Sequence, residues 1–206
     1  MNKLSIDINQ RIPLNVLEVA LNTFLSGNYS NEYVIEQLRL EFDGENRLKK
    51  ALRIVNKIII KSPLKDFLLQ NKEEILIALK KKEERNLILI ALLNSAFPFS
   101  FFVLKTFGKY FSVQEEINSE IIKKAISNVY GGNRATENGI YSVVPMFLEA
   151  NFFKRPSTGI YKFENKLNVS LNISKNIFIQ SFLLNNGIND IEEFHYRDPY
   201  FNFITF

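Results

Sequence analysis

Three sets of side chains in this 206-residue chain have the types and spacing to engage a polyanion. In the first, Lys50, Arg53, Lys57 and Lys61 recur at three- and four-residue intervals, so on a helix they share one face, with Arg47 and Lys49 beside them. Cations in such a line neutralise several phosphates together. The second set is Asn133, Arg134, Thr136, Asn138, Tyr141 and Ser142, short polar, planar or basic side chains that suit base edges and phosphates, with Met146 beyond them. Asn133 and Arg134 stand where a helix begins, and free N–H groups at the positive end of the helix dipole favour phosphate there. The third set, Lys154, Arg155 and Lys162 with Ser157 and Thr158, suits contacts to the nucleic-acid backbone or minor groove.

Catalysis has few side chains to draw on. The chain has no Cys, which excludes disulfides, thiolate metal sites and cysteine nucleophiles, and a single His, His195, which excludes sites built on two imidazoles. His195 lies between Phe194 and Tyr196 and reads as a packed or capped imidazole; with Arg197 and Asp198 alone it lacks the carboxylates of a metal nuclease. The acidic pairs Glu73–Glu74, Glu83–Glu84, Glu115–Glu116 and Glu192–Glu193 are sequence neighbours, which diverge on a helix, so they read as solubilising charge. The GGN run at 131–133 lacks the Lys-Ser/Thr of a phosphate loop. No enzyme activity, cofactor or metal site is therefore expected. With 26 Lys+Arg against 22 Asp+Glu the net charge is only +4, and it is the gathering of cations at 45–61 and 154–162, more than the total, that favours a polyanion.

The elements that must position these groups are mainly helices. Over 13–27, Val16, Val19, Ala20, Thr23 and Phe24 fall at helical spacing and Gly27 is the stop; a second helix from about residue 30 carries Tyr33, Val34 and Leu38 to the Asp43–Gly44 turn. Over 45–61 the apolar stripe Leu48, Leu52, Val55 and Ile59 lies away from the cations, and Ser62–Pro63 ends the helix. Residues 64–82 give one or two further helices. The uncharged stretch NLILIALLNSAFPFSFFVL at 86–104 is just long enough to cross a bilayer, but Pro98 divides it, so the expectation is two short buried helices. The N-terminal MNKLSIDINQRIPL lacks the unbroken apolar run of a secretory signal, so the cytoplasm is the expected location.

After residue 112 the pattern changes. Residues 115–129 read as a helix through Ile117, Ile121, Ile122, Ala125 and Val129, and YGGNRAT at 130–136 is a glycine-marked turn. A helix over 136–151 follows, with Ile140, Val143, Val144, Phe147 and Leu148 towards the core and a kink or restart at Pro145. FFKRPSTGIYKFE at 152–164 is a β-hairpin signal. Helix, turn, helix and hairpin in that order describe a winged-helix domain. From residue 165 there is a helix near 174–184 and the aromatic ending EFHYRDPYFNFITF.

The stretch ENRLKKALRIVNKIIIKSPLKDFLL at 45–69, the charged KKEER after it and LILIALLNSAFPFSFFVLKTFGKYF at 87–111 together resemble the BrxA family of BREX phage-defence systems. The shared order is a basic helix after an Asn-containing turn, a short Leu-rich helix, a Glu-containing joint, then an apolar helix leading into an aromatic one. The resemblance covers the first half of the chain; the hairpin and the aromatic ending depart from it. It implies a small helical protein similar to the antitermination factor NusB, with helix-turn-helix character and DNA binding, and it carries that role to Arg47, Lys50, Arg53 and Lys57. The expected architecture is mainly α: a NusB-like helical bundle over 1–111, a winged-helix-like segment with a short β-hairpin over 112–164, and a C-terminal helix and aromatic tail packed on the core over 165–206. The expected function is non-enzymatic binding of double-stranded DNA in a prokaryotic phage-defence system, with other subunits of that system as further partners and no membrane partner. The alternative is a protein–protein adaptor that docks through the winged helix and the aromatic tail.

Overall fold

The uncharged stretch at 86–104 forms the middle of the molecule in the computed structural model, which describes residues 5–206. Pro98 holds Phe97 extended (φ −133°, ψ 95°), which ends helix α6 (Lys82–Ala96) and starts α7 (Pro98–Phe111); Pro98 sits in the first turn of α7, where its missing N–H costs nothing. From Asn86 to Ala96 every residue of α6 is buried, because α1 (Leu14–Leu25), α3 (Glu45–Ile58), α7 and α10 (Asn172–Asn186) all pack on it. An apolar surface all round is the mark of such an enclosed helix. The 15 residues of α6 extend roughly 22 Å, short of a hydrocarbon layer about 30 Å thick. Among the described residues no helix is long and apolar enough to cross a membrane.

With α2 (Asn31–Arg39), α4 (Lys65–Gln70), α5 (Lys72–Ala78), α8 (Ser119–Tyr130) and α9 (Arg134–Glu149) there are ten α-helices among the described residues. The α3 stripe is rotated slightly from the expected one: Leu48, Ala51, Ile54, Val55 and Ile58 are buried and Leu52 only half-buried. Lys49, Lys50 and Arg53 are left exposed on the opposite side. The helix stops at Ile58, so Lys61 lies beyond it and is not part of the cation line.

The second half differs from expectation at two elements. Instead of one helix over 115–129, strand β1 (Glu116–Asn118) precedes α8, whose N-terminus is capped by Asn118. The hairpin is formed by β2 (Lys154–Ser157) and β3 (Ile160–Lys162), turning at Gly159, whose φ of 81° suits a residue without a Cβ. The sheet is antiparallel in the order β1-β3-β2, with Ile117 opposite Tyr161; Pro156, which has no N–H to donate, sits on the edge strand β2. Strand β1, helices α8 and α9 and the hairpin follow one another in the chain, and β1 pairs with the hairpin strand β3. α9 runs unbroken through Pro145 rather than restarting there.

The acidic joint takes a role the sequence did not indicate. The aromatic ending forms two 3-10 turns, Glu193–Arg197 and Pro199–Phe203; Tyr200, Phe201 and Phe203 of the second are buried, while Phe194 and Tyr196 of the first are exposed. Tyr200 stacks on Phe178 of α10 at 4.2 Å, and its hydroxyl joins Asn94 and Ser181, each at 3.2 Å. Burial of that ring pushes its phenol pKa up. Gly108 admits the tail, since a Cβ there would lie 2.0 Å from the Pro199 carbonyl oxygen. The Glu83–Glu84 pair is not idle surface charge: Glu83 accepts the Asn168 N–H at 2.7 Å, and the buried Glu84 accepts those of Ser170 and Leu171 at 2.8 and 3.0 Å, at the positive end of α10. One contiguous apolar core runs from Ile8 to Ile204 and joins all three expected segments.

Candidate nucleic-acid interface

The cations of α3 and the polar face of α9 belong to distant parts of the chain, and the extended stretch 5–12 brings them together. Ile8 and Ile12 anchor it in the core. On one side Asp7 pairs with Lys57 of α3 at 3.0 Å. On the other, Arg11 pairs with Glu149 of α9 at 2.7 Å, and Glu149 also accepts the Leu14 N–H at 2.9 Å. Gly139 lets the strap lie close against α9, since a Cβ there would stand 2.7 Å from Ile6 and 2.6 Å from Phe99.

The result is a cleft of about 630 Å³ with walls from both halves. Arg47, Lys50, Asn46 and Phe42 line one side, Asn138, Tyr141 and Ser142 the other, and Asn9, Gln10 and Arg11 of the strap complete it. A second arm of about 490 Å³ shares Asn9, Asn46 and Lys50 and continues along α3 past Lys49, Arg53 and Lys57 to Phe97. Arg47, Lys49, Lys50 and Arg53 form no ion pair among the described residues. Arg47 rests 4.5 Å from the Phe42 ring and Lys57 4.4 Å from the Phe97 ring, contacts that orient a cation without cancelling its charge. Asp7 is the carboxylate of this trough; hydrogen bonds from Ser5 and Lys57 hold its pKa below the ordinary 3.8, so it stays ionised beside Lys57.

Several residues expected at the interface do not reach it. Thr136 is fully buried and its hydroxyl donates to the Gly131 carbonyl at 2.6 Å; Ser142 touches the cleft but is nearly buried and donates to the Asn138 carbonyl at 2.7 Å. Met146 is fully buried. Because α9 packs on α7 and α8 and also against the strap at Gly139, the residues it presents to the cleft are Asn138, Tyr141 and the edge of Ser142. Asn133 is the N-cap of α9: its Oδ1 accepts from the N–H groups of Ala135 and Thr136 at 3.0 and 3.1 Å, which takes up the donors a phosphate would use. Arg134 is exposed but does not line the cleft.

Two of the three wing cations meet carboxylates. Lys154 pairs with Glu164, Lys162 lies 3.8 Å from Glu116, and Arg155 rests 5.9 Å from the Tyr161 ring. Arg47, Lys50, Asn138 and Tyr141 therefore come together, with Arg53 and Lys57 in the adjoining arm, while Asn133, Arg134, Thr136, Lys154, Arg155 and Lys162 stand outside the cleft.

Asn46 went unnoticed although it lies one turn before Lys49 and Lys50 and was accessible from helical spacing. Asn9, Gln10, Arg11 and Phe42 carry no periodic signal, and only the path of the strap and of the α2–α3 turn brings them in. Among the described residues no three His, Asp or Glu side chains gather as a metal site. Comparison with protein-family models, curated proteins and solved structures finds no match to this chain.

Proposed function

We propose that this protein binds double-stranded DNA, without catalysis, along the trough between α3 and α9, as a component of a prokaryotic phage-defence system in keeping with its resemblance to the BrxA family. One juxtaposition supports the DNA reading: Arg47 and Lys50 line the same cleft as Asn138 and Tyr141. The α3 cations take the phosphates and set the register, while the amide of Asn138 and the phenol of Tyr141 meet base edges. Tyr141 is 60% exposed and lines the cleft, so its ring and hydroxyl are open to a ligand there.

Four free cations on the trough predict a salt slope near 3.6, so affinity for a short duplex falls about 150-fold between about 50 and about 200 mM salt. Fluorescence anisotropy of a labelled duplex measures this. Replacing Lys50→Ala and Arg53→Ala together lowers the slope by about two, because each removes one phosphate contact. Absence of binding at the lower salt, or an unchanged slope in the double variant, overturns the assignment.

A further inference from the structure

Behind Tyr141, between α8, α9 and β3, lies a pocket of about 150 Å³ that the DNA reading leaves unused. Ile122, Val144 and Phe107 give it an apolar wall, and Ser119 and the rings of Tyr141 and Tyr161 line the rest with two cations. Two cations, Lys123 and Arg155, line it and no carboxylate does. Lys123 is tied to Glu120 at 2.7 Å and stands 5.6 Å from the Tyr141 ring. Arg155 is exposed, has no carboxylate partner among the described residues and rests 5.9 Å from the Tyr161 ring.

Size and chemistry together narrow the ligand. A space of about 150 Å³ is enough for a single six-membered ring, which the apolar wall favours. Two tyrosine rings favour an aromatic guest by edge or offset contact. A guanidinium without a partner at the rim selects a planar carboxylate, which it pairs through two parallel hydrogen bonds.

We propose that this pocket binds a small single-ring aromatic carboxylate, with the ring against Tyr141 and Tyr161 and the carboxylate on Arg155. Tyr141 also lines the cleft between α3 and α9. Resting on the DNA reading above, occupancy and DNA binding are coupled through this shared ring: the bound anion neutralises Arg155, which lines the pocket with Tyr141, and lowers the affinity of the cleft for phosphate. By linkage, DNA lowers the affinity of the pocket for the carboxylate by the same factor.

Calorimetric titration of the full chain with benzoate, in the absence of DNA, tests the site. Expected is saturable one-to-one binding that weakens about tenfold or more in Arg155→Gln, through loss of the charge-assisted pair, and that Leu148→Trp abolishes by filling the space. Benzyl alcohol, which keeps the ring and lacks the charge, binds about tenfold more weakly than benzoate. No saturable binding of benzoate, equal affinity for the alcohol, or an unaffected Arg155→Gln variant overturns the proposal. Because DNA is absent from this arm, its failure is distinct from failure of the DNA reading. In a second arm, saturating benzoate weakens duplex binding about fivefold in the parent chain and not in Arg155→Gln; an unchanged parent affinity overturns the coupling.

Discussion

Helix α3 and the β2–β3 hairpin are both basic in sequence, yet the structure treats their cations in opposite ways. On α3, Arg47, Lys49, Lys50 and Arg53 have no carboxylate near enough to pair, and they line a trough that α9 also faces. On the hairpin, Lys154 meets Glu164 and Lys162 meets Glu116 of the neighbouring strand β1, which leaves only Arg155 without a carboxylate among the described residues. A cation already paired at the surface adds little to a field that attracts phosphate, whereas unpaired cations lining one trough sum. What separates the two regions is therefore the position of a few carboxylates rather than the number of lysines and arginines.

The most disruptive way to break this contrast is at Gly139. A methyl there meets Phe99, itself buried, and Ile6 of the strap at well under contact distance, so Gly139→Ala should cost about 1–3 kcal/mol through overpacking and push the strap off α9. Chemical denaturation reads the stability loss, and DNA titration should show the α3 trough losing affinity while the hairpin stays intact. A variant with unchanged stability would mean that the strap does not hold the two walls together.

A smaller change sharpens the contrast from the other side. Glu116→Gln with Glu164→Gln frees Lys162 and Lys154, and duplex affinity at low salt should rise about fivefold as the wing gains uncompensated charge. If affinity stays the same, the hairpin lies too far from the bound duplex for its charge to matter.

The smallest effect concerns the one α3 cation that is neutralised. Asp7 has its pKa lowered by hydrogen bonds from Ser5 and Lys57, so the pair stabilises the fold above the ordinary 3.8 and that contribution is lost as pH falls through the lowered folded value. Thermal melts taken below about pH 4 should show the parent losing stability more steeply than Asp7→Asn, which has no such carboxylate to protonate. Identical pH profiles would show that the Asp7–Lys57 pair does not tie the strap to α3.

Much of the fold was legible in local signals. The stop at Pro98, the cation line of α3 and the hairpin around Gly159 each rest on sterics or spacing within a few residues, and each is present. Strand β1 was hidden because three residues with a single inward side chain, Ile117, show no alternation, and its partner Tyr161 lies far downstream. The aromatic ending has no period either; its burial depends on Gly108 opening α7 to Pro199. On α9 the expected polar face lost Thr136 and Met146, both fully buried in a helix that packs on α7 and α8 and meets the strap at Gly139.

Composition and spacing by themselves determined that thiol chemistry and paired-imidazole sites are absent, where most helices run and break, and which residues could form a cation line. Those properties follow from residue identity, backbone sterics and the helical period, all of which act over a few positions. Only the tertiary structure decided which cations are free, which face of α9 is open and that α3 and α9 share a cleft. Charge pairing and burial depend on distances between segments far apart in the chain, and no local pattern encodes where Glu116, Glu164 or the strap will come to rest.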